Sequence, residues 1–221
     1  MTFLEQVLAI LWKDIRCELR SKQTWMGMAL FALLVLVIFN FAFDLRVDNK
    51  AAIAPGALWV AFVFASLLGL GRTIAAEREK GLMDRLLLCP VDRKAIYLAK
   101  LLGNLLFIGV VELVALPVFA ALFNVPLFAG SLLPIVLLGT LGIASVGTLF
   151  SAIASATQAR ELLLPLLIFP LIVPVVIGAV RATGALMVPA ANEPPWLGLI
   201  TAFDVIFLSI SMLTFEFVVE E

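Results

Sequence analysis

The chain is predicted to be an all-α polytopic membrane protein with six transmembrane helices, a single domain over residues 1–221. Three observations predict it. Hydrophobic residues make up 63% of the chain and charged residues 14%, where soluble domains carry about 25% charge. Apolar runs of about 20 residues recur, each able to cross a hydrocarbon core about 30 Å thick, and none alternates as barrel strands do. Seven of the fifteen basic residues fall in one stretch, 72–100, with bilayer-length apolar runs on both sides.

Residues 1–23 form an amphipathic segment, helical over 2–22. Leu4, Val7, Leu8, Leu11, Trp12, Ile15 and Leu19 recur at three- and four-residue spacing, with Lys13, Asp14, Arg16, Glu18 and Arg20 on the other face. Such a helix lies in the membrane interface, where Trp12 and the basic residues suit headgroups. It also rules out a cleavable signal pattern. The six spans are expected at about 25–43, 53–70, 101–123, 128–153, 162–180 and 197–218. Pro165, Pro170 and Pro174 should kink or break the fifth. Residues 183–196, rich in proline and small side chains, are read as a re-entrant or capping element on the outer side. The loop side of the membrane carries twelve basic residues: Lys13, Arg16, Arg20, Lys22, seven in the loop, and Arg160. The other side carries Arg46, Lys50 and Arg181. The positive-inside rule therefore places both termini in the cytoplasm.

Residues 72–95 form the cytoplasmic loop. Its first part extends the second span as helix, and Gly81 suits the helix C-cap. Leu82, Leu86 and Leu87, with Asp84 and Arg85 beside them, form a short amphipathic helix that Pro90 stops. Asp92 can cap the next helix. Helix, turn, short helix, turn and helix make a connection rigid enough to transmit force. The bland reading is a solvated loop that only fixes topology. On the docking reading, Leu86→Asp should charge the docking face alone.

This arrangement resembles the type-2 ABC exporter permeases, carried by Glu77, Gly81, Leu82, Leu86, Leu87, Pro90, Val91, Asp92, Arg93 and Lys100. More closely, the chain resembles the CcmB family, the haem exporter protein B permeases of cytochrome c maturation. IAPGALWVAFVFASLL in the second span, LLGTLGIASVGTLFSAIA in the fourth and LLLPLLIFPLIVPVVIGA in the fifth carry that resemblance. The segment before Pro55 and the tail after Trp196 depart from it, and the end with Glu216, Glu220 and Glu221 is unusually acidic. The resemblance implies a coupling helix that sits in a cleft of a separate ATPase subunit, through Glu77, Gly81, Leu82, Asp84, Arg85, Leu86, Leu87 and Pro90. It implies a homodimer within the complex, ATP on the partner chain, haem as cargo, and a haem-handling membrane subunit and haem chaperone as further partners. Nucleic acid is not expected; membrane lipid is.

Inside the membrane, Glu112 lies twelve residues past Lys100, roughly 18 Å at the helical rise, and Asp204 lies eight residues past Trp196, roughly 12 Å. A carboxylate at such depth costs several kcal/mol unless protonated or paired. The two read as structural carboxyls holding the bundle, or as a polar lining of a transport path. Gly139, Gly142, Gly147, Ser151 and Ser155 make a small-residue stripe on the fourth span, suited to close helix packing within the chain or to a dimer seam.

The chain has no histidine, no G-x-x-x-x-G-K-[ST] phosphate loop and no C-x-x-C-H haem attachment site. No catalytic or metal-ligating residues are expected, and no directly bound cofactor; Cys17 and Cys89 are isolated thiols without metal spacing. Haem ligation by this chain would need Met, Cys or Tyr97. The expected function is a permease subunit that couples ATP hydrolysis on another chain to haem export or to release of a haem-loaded chaperone. An ABC permease for a glycan, lipid or drug, and a proton-coupled secondary transporter using Glu112 and Asp204, remain open on the residues alone.

Overall fold

The computed structural model describes residues 2–21, 23–44, 52–79, 81–82, 86, 88–124, 132–155, 157, 160–187 and 195–220. Every regular element among the described residues is a helix, as long apolar runs without two-residue alternation require. α1 spans Phe3–Ser21, α2 Gln23–Asp44, α3 Ala54–Glu79, α4 Arg93–Phe123, α5 Leu132–Ser155, α6 Arg160–Met187 and α7 Trp196–Glu220. Five of them, α2, α4, α5, α6 and α7, are long and apolar enough to cross a membrane. In α3 the apolar stretch is shorter, Ala54–Leu70, and the same helix then continues through charged residues to Glu79.

The ends are set by local chemistry. At the start of α1, the Thr2 N–H donates to Glu5 Oε2 (2.9 Å) and the Glu5 N–H to Thr2 Oγ1 (3.4 Å). This is a reciprocal capping box, written in the sequence as Thr-x-x-Glu. Asn124, at φ 53° and ψ 43°, closes α4 by donating its N–H to the Ala120 carbonyl. α4 begins eight residues earlier than its expected span, at Arg93, because Asp92 caps it there: Asp92 Oδ1 accepts from the Lys94 N–H at 2.9 Å.

α5 is the axis of the bundle. It packs against α3, α4, α6 and α7, and nearly every residue from Gly142 to Leu149 is buried. α2 packs on α3 and α4, and α1 lies along α4. Large side chains fill the spaces between: Trp59 and Phe62 from α3, Tyr97 and Phe119 from α4, Phe215 from α7. Leu30, Leu34, Ile38 and Phe41 of α2, with Val205, Ile206, Leu213 and Phe217 of α7, face outward. In a bilayer that is the favoured side for them.

Two expectations are corrected. α6 runs unbroken through Pro165, Pro170 and Pro174. Proline interiors are tolerated in membrane helices, where neighbouring helices and side-chain hydroxyls re-satisfy the freed carbonyls. The same helix continues to Met187, so residues 183–187 belong to α6 and not to a separate outer element; Thr183 is fully buried there. Residues 188–194 lie outside the described residues.

Candidate functional site

The charged stretch joins α3 to α4. Gly81 has φ +62°, the left-handed conformation that favours glycine, and its N–H donates to the Arg78 carbonyl at 3.0 Å. Further on, the Cys89 N–H reaches the Leu86 carbonyl (3.2 Å) and the Val91 N–H the Cys89 carbonyl (2.8 Å), a tight turn through Pro90. Leu82 is exposed and Leu88 is 87% exposed, while Leu86 is half-buried and packs against the core. A charge at residue 86 therefore perturbs the bundle as well as the surface, and Leu88, which the leucine spacing did not single out, is the large apolar side chain turned outward. Glu77 sits on α3; its side chain, and Asp84, Arg85 and Leu87 altogether, lie outside the described residues.

The stretch from Arg78 to Lys100 is tied to the bundle at three points. The Asp92 N–H donates to Gln6 Oε1 of α1 at 3.2 Å. Arg78 Nη1 donates to Ser155 Oγ at 3.1 Å, joining the ends of α3 and α5. Lys100 Nζ stands 2.8 Å from Asp14 Oδ2, their side chains 1% and 4% exposed, and Lys13 Nζ is 3.0 Å from the other oxygen. Asp14 thus does not belong to a solvated face of α1. Val7, Ile10 and Asp14 turn inward against α4, while Leu4, Leu8, Trp12 and Leu19 remain outside. The helix periodicity reveals a stripe but not which edge of it a distant helix covers. Taking a buried carboxylate out of water costs several kcal/mol, which an ion pair of good geometry offsets.

Deeper in the bundle the polar contacts converge on α5. Thr140 Oγ1 donates to Glu112 Oε1 of α4, and Glu112 is 4% exposed. Asp204 of α7, 3% exposed, faces Gly142: a Cβ built on Gly142 would lie 2.7 Å from Asp204 Oδ1, and neither carboxyl oxygen has a hydrogen-bond partner among the described residues. Glu112 and Asp204 therefore approach α5 at residues two apart. Tyr97 donates to the Ser145 carbonyl (3.2 Å), and Asn104 Nδ2 to Thr148 Oγ1 (2.9 Å). Gly139 lies under the Trp59 indole, whose Nε1 donates to Thr183 Oγ1 at 3.0 Å; Gly147 lies under Leu70. Ser151 is buried. The stripe on α5 thus receives side chains from α3, α6 and α7. Among the described residues no group of His, Cys, Asp and Glu could hold a metal ion.

Residues 5–220 match the family described as CcmB protein. The heme exporter protein B of Rhodobacter capsulatus is 34% identical over 171 residues, covering 76% of this chain and 78% of that protein. That of Bradyrhizobium diazoefficiens is 32% identical, covering 81% and 82%. That of Pseudomonas aeruginosa is 29% identical, covering 87% and 88%.

Proposed function

The chain belongs to the CcmB protein family, and from that premise we propose that it is the membrane permease subunit of a haem exporter serving c-type cytochrome biogenesis. The match across residues 5–220 to a family whose curated members are named heme exporter protein B carries this reading. The chain is a transporter component: energy enters from ATP hydrolysed on a separate ATPase subunit, and haem is cargo of the complex. The loop at 80–92 is where that subunit docks, with Leu82 and Leu88 as its apolar contacts. Three ties, to Gln6, Ser155 and Asp14, pass movement of the loop to α1, α4 and α5.

On this reading the bundle spans the bacterial inner membrane six times. The apolar stretch Ala54–Leu70 supplies the second crossing: 17 residues reach about 26 Å at the helical rise, the short end of a span. The basic residues put the loop and both termini in the cytoplasm. Two copies pair with two ATPase subunits, alongside a haem-handling subunit and a haem chaperone. Tyr97 is a poor axial ligand, since its hydroxyl is engaged by the Ser145 carbonyl and its ring packs on Phe215 at 5.3 Å. With no histidine in the chain, the residues favour release of a haem-loaded chaperone over direct passage of haem through this subunit.

Purification of the tagged protein from native membranes in mild detergent, with mass spectrometry of co-purifying chains, tests the reading. A Walker-motif ATPase together with haem-handling membrane proteins is expected. An ATPase without them removes the haem context, and a folded sample without any ATPase removes the permease reading. Haem tightly bound to the isolated chain would overturn the chaperone-release mechanism.

A further inference from the structure

A small hollow lies where α1, α2, α3 and α4 meet. Its volume is about 10 Å³, and Glu18, Trp25, Gly69 and Asn104 are among the residues that border it. Two buried polar atoms on this border have no hydrogen-bond partner among the described residues: Glu18 Oε1, an acceptor, and Trp25 Nε1, a donor. Each such group costs about 1–3 kcal/mol when left unmatched. From the same place an apolar groove of about 160 Å³ runs outward between α2 and α3, past Gly27, Leu30, Leu34 and Leu68. Thr24 and Met28 line both, so the hollow is the polar end of the groove.

We propose that this groove is a binding site for a bilayer phospholipid with a primary-amine headgroup, its acyl chain along α2 and its ammonium on Glu18. Apart from Thr24, the lining of the groove is apolar, as an acyl chain requires. Leu30, Leu34 and Leu68 already face outward, toward lipid. At the other end a ligand can offer a donor to Glu18 and an acceptor to Trp25, and the hollow admits one water-sized group such as an ammonium. Phosphoethanolamine offers both, through its N–H groups and its phosphate oxygens. The trimethylated amine of phosphocholine has no N–H to donate, and phosphoglycerol brings no cation. The depth also fits: Glu18 ends an amphipathic helix of the kind that lies at the headgroup level, where tryptophan such as Trp25 concentrates.

Native mass spectrometry of the full-length chain, purified and exchanged into micelles holding equal phosphatidylethanolamine, phosphatidylcholine and phosphatidylglycerol, tests the site. Wild type is expected to retain phosphatidylethanolamine. Glu18→Gln should lower its preference over phosphatidylcholine about tenfold, the loss of one charge-assisted bond. Gly27→Phe should abolish retention, because a Cβ there meets nothing within 4 Å and the ring can fill the groove without displacing protein atoms. Equal retention of the three lipids by wild type overturns the proposal even if neither variant folds. An unchanged preference in Glu18→Gln also overturns it, as does a Gly27→Phe protein that alters its oligomeric state and keeps its lipid, which would mark the groove as a contact between copies.

Discussion

The two ends of α4 handle a buried carboxylate in opposite ways. Near the turn between α3 and α4, Asp14 is met by Lys100 at 2.8 Å and by Lys13 at 3.0 Å. Farther along the bundle, Glu112 is met by a neutral hydroxyl, Thr140, and Asp204 by the bare backbone of Gly142. The first arrangement links two elements, α1 and α4, through opposite charges, and is directional. The second lets carboxyl groups pack against α5 with no cation among their described partners. The loop end thus carries the kind of interaction that holds one helix in register with another, whereas the interior is held by shape.

This contrast can be tested by substitution. The largest effect is expected for Lys100→Met, which leaves Asp14 buried beside only the half-exposed Lys13 and should cost about 3 kcal/mol in a denaturation measurement in detergent. Adding Asp14→Leu should restore stability to within about 1 kcal/mol of the parent, since replacing a whole buried pair by apolar groups is often neutral. If the double substitution is as unstable as the single, the pair does more than hold two helices together. Next, Gly139→Ala forces a methyl into the Trp59 ring, which is packed and hydrogen-bonded to Thr183, and should cost about 1–3 kcal/mol. Gly142→Ala meets the Asp204 carboxyl at 2.7 Å and the Val175 methyls at 3.0 and 3.1 Å, less close than the Trp59 ring to a Cβ on Gly139, and should cost less; thermal melting of the two side by side decides it. Thr140→Val strands Glu112 and should cost about 1–3 kcal/mol, in the range of Gly139→Ala, while Asp204→Leu removes no hydrogen bond and should have the smallest effect, near neutral. The reverse order for that last pair would show that Asp204 holds a partner in the working complex.

Much of the fold is legible in the chain because its signals are local. Hydrophobic run length finds the helices, Gly81 and Asp92 mark the ends of the loop, and the spacing of leucines in the first twenty residues marks an amphipathic helix. What is not legible depends on partners distant in sequence. Asp14 and Lys100 are 86 residues apart, and no periodicity pairs them, so Asp14 reads as a solvated charge. Leu86 and Leu88 are both leucines in a polar stretch, and only the packing of α3 and α4 shows that the first turns inward. Prolines in α6 read as breaks because local propensity counts the lost hydrogen bond and not the neighbouring helices that make the loss tolerable. The small residues of α5 were visible as a stripe, but that Gly139 receives Trp59 and Gly142 receives Asp204 follows only from the three-dimensional arrangement.

We propose that the turn between α3 and α4 is the docking surface for a separate ATPase. The most direct measurement is co-purification of that ATPase with a Leu88→Asp chain, because Leu88 is the outward leucine and its charge leaves the bundle untouched. The account predicts that recovery of the ATPase falls at least about tenfold, as loss of one apolar anchor at an interface does, with the chain still present in the membrane at its normal level. Full recovery of the ATPase, together with an undiminished yield of c-type cytochrome, would contradict it.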